Sequence, residues 1–176
     1  FDEKLASGEY ALAIALVQAW YDFPDVEIMT EHVNRGGRVI YTDWTADPRF
    51  EDLFEFQFTG WFNMSIMELH PPLDEGVPTP TTLLNPGWNY FSMGLEPVAG
   101  GESRCTFPQT GDSCLAVGND GRTIVLGFLA DVPMAAGGER LFSNIIEYFN
   151  IPFVPADPDT QGFSLQGGGG FTAAPE

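Results

Sequence analysis

Residues 32–45, HVNRGGRVIYTDWT, decide the reading of the fold. A polar helix end runs into Gly36-Gly37. RVIYTDW follows, rich in the β-branched and aromatic residues that favour strands. Upstream, DVEIMTEHVNRGG sets Val26, Met29 and Val33 at helical spacing and stops at the glycine pair. Before that, YALAIALV is a continuous apolar run, the pattern of a strand buried on both faces. Strand, helix and strand within about 35 residues predict a βαβ unit with a right-handed crossover. Thr42, Asp43 and Trp44 then fall at the carboxyl end of a parallel strand, where open α/β sheets bind ligands.

The flanking segments extend this reading. FDEKLASGEY opens the chain with a short amphipathic turn. SCLAVGNDGRTIVLGFLAD carries two apolar runs around GNDGR, a strong hairpin signal. GGERLFSNIIEYFN puts Leu141, Ile145, Tyr148 and Phe149 on one helical stripe. Residues 46–104 hold many aromatics, prolines and glycines without a clean period, and read as a long insertion of short strands or a helical turn packed through its aromatics. The expected organisation is one domain over residues 1–152, with a Pro- and Gly-rich tail over 153–176.

Charge narrows the function. The chain has 25 acidic against seven basic residues, a formal net charge of −18, and Lys4 is its one lysine. Phosphate recognition needs clustered Lys and Arg, so a nucleic-acid partner is excluded, and an anionic membrane surface is disfavoured. ALAIALV is too short to span a bilayer, so no membrane insertion is expected. The acid excess suits an exposed, soluble surface, a basic partner, or a salty or calcium-rich medium. Residue 1 is Phe, which reads as a processed or trimmed start.

The two cysteines, Cys105 and Cys114, bracket CTFPQTGDSC. Such a segment can fold back as a hairpin and let them bond, which would stabilise by about 2.5–3 kcal/mol on a chain-entropy basis. The expectation is a disulfide, and with it an extracytoplasmic location: periplasmic, cell-surface or secreted. His32 and His70 lack ligand spacing to the cysteines, so no metal is expected there.

FDEKLASGEYALAI, HVNRGGRVIYTDW, NDGRTIVLGF and RLFSNIIEYF, in this order, resemble the class I glutamine amidotransferase-like superfamily, nearest its non-catalytic ThuA-like branch. The resemblance covers roughly residues 1–45 and 113–150. It implies an α/β, flavodoxin-like three-layer sandwich with a mainly parallel sheet, closed by a C-terminal β-hairpin and helix. It also implies a strand, helix and strand ahead of FDEKL. An upstream segment or another chain is therefore expected to cover the sheet edge. Catalytic members carry a cysteine at the turn after the strand that here reads RVIYTDW, and a histidine after the one that here ends LGFLAD. Thr42 or Asp43 stands at the first position, and Leu129, Ala130 and Asp131 at the second. Amidotransfer by that mechanism is not expected.

Other residues carry candidate chemistry. Asp43, Trp44 and Asp131 form a possible ligand site at the strand ends, and the plainer role for Asp43 is capping a turn or helix. Asp157, Asp159 and Gln161, with Gly162, open like a calcium loop, but Gly168 stands where the closing Glu belongs. No cofactor or metal is expected, and calcium at this stretch is the one candidate weighed. Trp61 and Trp88 are interaction anchors by composition. The expected function is a non-enzymatic structural or interaction domain, a subunit of a larger extracytoplasmic assembly whose partners are other protein chains or an upstream segment. The alternative is a carboxylate-based hydrolase, carbohydrate-active, centred on Asp43.

Overall fold

A short helix, α1 (Asp2–Ala6), leads into β1 (Leu12–Val17), α2 (Val26–Asn34) and β2 (Arg38–Asp43). The chain continues through α3 (Pro48–Phe54), β3 (Phe56–Phe62), β4 (Ile66–Leu69), β5 (Thr81–Thr82), β6 (Ser92–Pro97), β7 (Glu102–Thr106), β8 (Ser113–Gly118), β9 (Thr123–Leu126) and α4 (Gly138–Tyr148). This computed structural model describes residues 1–17, 24–43, 47–84, 87, 89–130, 132 and 138–149, without the side chains of Val17 and Asp43.

The expected β–α–β unit is present. β1 and β2 are parallel, from Leu12 opposite Arg38 to Val17 opposite Asp43. α2 starts where the Asp25 carboxylate accepts from the backbone N–H of Glu27 at 2.8 Å and Ile28 at 3.3 Å. It stops at Gly36, whose φ of 92° suits glycine. Met29 and Val33 are fully buried. The β8–β9 hairpin also stands where NDGR predicts it, with Asn119 and Asp120 both at positive φ.

The sheet is mixed rather than mainly parallel. Strand order runs β1-β2-β9-β8-β7-β4-β5, and β6 pairs with both β8 and β3. Among the described strands only β1–β2 and β2–β9 are parallel; the remaining pairings are antiparallel. The reason lies in residues 46–104. They contribute α3 and short strands whose pairings extend the sheet in antiparallel fashion. The helix-on-both-faces arrangement holds at the parallel end alone. There Ile40, Ile124 and Leu126 pack in one cluster with Leu141, Ile145 and Phe149 of α4 and its last turn. On the opposite face Val39, Tyr41 and Val125 pack with Met29 and Val33 of α2 and with Phe50 and Phe54 of α3.

The Cys105–Cys114 expectation is corrected here. β7 and β8 do form the hairpin, and both side chains are fully buried. Their sulfurs lie 2.8 Å apart as free thiols, well beyond the ~2.05 Å of a disulfide bond. Burial first, and the hydrogen bond to Cys105 second, push the Cys114 thiol up, so it stays protonated. The spacing specified a turn, and it did not specify a bond. In the folded protein neither thiol should react with a thiol reagent, and both should react after unfolding without reductant. A mass increase on reduction of the intact chain contradicts this.

Candidate functional site

The carboxyl end of the parallel strands is where the sequence placed a site. Asp43 is the last residue of β2, opposite Val17, and Thr42 lies opposite Leu126. Thr42 is buried, and its Oγ1 has no hydrogen-bond partner among the described residues. The Asp43 side chain, Trp44 and Asp131 lie outside the described residues, so they are neither brought together nor kept apart. The same holds for Trp88 and for the calcium-like stretch with Asp157, Asp159 and Gln161. Both cysteines sit in β7 and β8, so no thiol occupies the β2 end. Among the described residues no three His, Cys, Asp or Glu side chains gather to hold a metal ion. Trp61 lies in β3, half-buried, its ring 5.0 Å from that of Phe58. Leu84 and Tyr90 stand exposed on either side of residues 85–88.

At the opposite strand end, a cleft of about 350 Å³ lies between Gly8–Ala11 and His32, Arg35, Gly36 and Gly37. His32 is 2% exposed, and its Nε2–H donates to the Arg38 carbonyl at 3.3 Å. A Cβ on Gly37 would collide with its ring. Burial is the main cause that lowers the His32 pKa; the Arg38 carbonyl raises it and the Arg35 charge lowers it further. The unfolded chain therefore takes up the proton first. Stability is fully present above the ordinary imidazole value near 6.5 and falls as pH drops below it. Thermal unfolding between pH 7.5 and 5.5 should show a decline that His32→Gln lessens; equal slopes for the two proteins contradict this.

The feature the sequence misread is β1. YALAIALV predicts burial on both faces. Ala13 and Ala15 are buried against Leu5, Met29 and Val33, and Leu12 and Leu16 pack partly against the α4 cluster. Yet Ile14 is 44% exposed and Tyr10 49%. β1 is an edge strand, and among the described residues it pairs with β2 alone. Arg38 N–H donates to the Ala11 carbonyl at 3.0 Å. By strand alternation the backbone groups of Leu12, Ile14 and Leu16 then point away from β2. From Tyr10 to Val17 there is no charge and no proline to blunt the edge. A long apolar run with no polar neighbour reads the same whether its far side is covered or open.

Charge is divided along this edge. Arg35 and Arg38, with Glu9, sit at the start of β1. At the other end of α2 lie Asp25, Glu27 and Asp2, whose carboxylate accepts from the Asp25 N–H at 3.3 Å.

No family model and no curated protein matches the sequence. Solved structures do. A ThuA-like protein from Bacteroides uniformis superposes with a TM-score of 0.63 at 14% identity, over 84% of this chain and 71% of its own. The N-terminal domain of IFT52 (mmIFT52) gives 0.60 at 12%, over 88% and 82%. A GMP synthase protein from Thermoplasma acidophilum gives 0.51 at 10%, over 71% and 64%. The likeness is one of fold. It agrees with the amidotransferase-like resemblance of the βαβ unit and the closing hairpin and helix. No helix among the described residues is long and apolar enough to cross a membrane.

Proposed function

We propose that this chain is a protein-interaction module, a degenerate amidotransferase-like α/β domain that joins a larger assembly through the open β1 edge of its sheet. The observation that carries the reading is the uncharged edge strand with Ile14 and Tyr10 turned to solvent. Strand addition at such an edge gives affinity through main-chain hydrogen bonds and specificity through alternate side chains. The likeness to a ThuA-like protein and to the IFT52 N-terminal domain fits an interaction domain. An extracytoplasmic placement of that assembly rests on a Cys105–Cys114 bond, and the free thiols give it no support. Under native conditions the protein should run as a complex heavier than one copy of its own chain, and Ile14→Lys should return it to the single-chain mass. A single-chain species in the wild type sinks the reading.

A further inference from the structure

The reading of β1 as the working edge leaves its occupant open, and three observations identify one. The first is sequence symmetry. Residues 12–16 read Leu-Ala-Ile-Ala-Leu, the same in both directions. An antiparallel pairing of two such strands about a two-fold axis through Ile14 sets Ile14 against Ile14, Leu12 against Leu16 and Ala13 against Ala15. A two-fold interface requires this self-complementarity.

The second is backbone direction. Leu12, Ile14 and Leu16 carry the outward N–H and C=O groups, as fixed by the Arg38–Ala11 bond. A centre at Ile14 makes the central pair, and the Leu12–Leu16 pairs beside it, exchange N–H···O bonds in register. The same residues lie on the α4 face, where Leu12 and Leu16 are half-covered and Ile14 is open. Pairing closes a strip of apolar side chains across the axis.

The third is charge. Antiparallel pairing brings the Arg35 and Arg38 end of each copy alongside the Asp2, Asp25 and Glu27 end of the other. A pairing with both strands in the same direction would set like ends together. Such exposed pairs contribute little affinity, but they select orientation. A chain with a net charge of −18 repels its own copies, and that repulsion is screened beyond about 8 Å at physiological salt. The uncharged stretch from Tyr10 to Val17 is a place where two copies can approach without burying a carboxylate.

We infer that the occupant of the β1 edge is a second copy of this chain, paired antiparallel about Ile14 so that the two sheets become one. The inference rests on the module reading.

Residues 1–176, purified at physiological salt, should show by light scattering about twice 19.3 kDa. Ile14→Lys sets two ammonium groups against each other at the axis and should yield the monomer. Its circular dichroism should match the wild type, because the side chain is already exposed. Register is tested separately. With the native thiols buried, Ile14→Cys should be joined to itself by a short bis-maleimide. Tyr10→Cys should not, since its two copies would lie roughly 27 Å apart at about 3.4 Å per residue. A wild-type monomer at high concentration, a dimer indifferent to Ile14→Lys, or self-joining at position 10 in place of position 14 would each overturn the inference. A complex with a different chain that Ile14→Lys breaks also overturns it while upholding the module reading; a lone monomer from the native source overturns both.

Discussion

Phe54→Ala is expected to lower the unfolding free energy by about 3–5 kcal/mol, read as a shift in the urea midpoint at unchanged slope. Phe54 is fully buried at the end of α3. Its ring stacks on Tyr41 of β2, centroids 5.0 Å apart and planes at 18°, and the Phe50 ring lies 4.6 Å from the same Tyr41 ring. Truncation leaves a cavity between α3 and the central parallel strand that neither element can close. α3 is held in place at both ends. The Asp47 carboxylate caps its start by accepting from Arg49 N–H at 3.0 Å. Beyond its end, the Glu55 carboxylate accepts from Asn119 N–H at 3.0 Å, and the Asn119 amide donates to the Leu53 carbonyl. A domain of this size is stable by about 5–15 kcal/mol, so the loss is a large share. A cost below about 1 kcal/mol would mean that residues 46–104 lie on a core that stands without them.

Gly127→Ala is the second large effect, with an expected cost of about 2–3 kcal/mol or more from overpacking. Gly127 sits where β6, β8 and the end of β9 converge. Its N–H donates to the Cys114 carbonyl at 2.9 Å, and its carbonyl accepts from Met93 N–H at 2.7 Å. A Cβ there would overlap the Met93 carbonyl oxygen and lie 3.2 Å from Cys114 Cα. These obstacles are main chain, and no rotamer change relieves them. One added methyl group must push two hydrogen-bonded strands apart. A melting temperature equal to the wild type would contradict the close crossing of these strands.

Both effects fall in or against the part of the chain that the sequence left least legible. Periodicity carried β1, α2 and β2, and turn chemistry carried the β8–β9 hairpin, because each pattern is local. In residues 46–104 the pairings are distant: β3 joins β6, and β4 joins β7 and β5. Alternation there is weak, since β6 has buried residues on both faces from Ser92 to Leu95. Phe50 and Phe54 show helical spacing, but the spacing does not say which strand they cover. The cysteine spacing carried a hairpin and no bond, because sulfur geometry depends on strand register, and register shifts occur on both sides of Cys105.

The candidate site was legible to the same degree. Asp43 stands at the carboxyl end of a parallel strand, as its sequence context predicts. Its expected companions Trp44 and Asp131 lie outside the described residues. The β1 edge was legible as a strand and illegible as a surface. An apolar run records that something apolar covers the strand, and not whether the cover belongs to the same chain.

The most direct test is residue-resolved amide exchange of β1. Leu12, Ile14 and Leu16 carry the amides that point away from β2, so an unoccupied edge leaves them open to water. At concentrations where the protein is assembled, these amides should exchange slowly, and at least tenfold faster after dilution or in Ile14→Lys. Fast exchange at every concentration, unchanged in the variant, would contradict the assignment of this edge as the interaction surface.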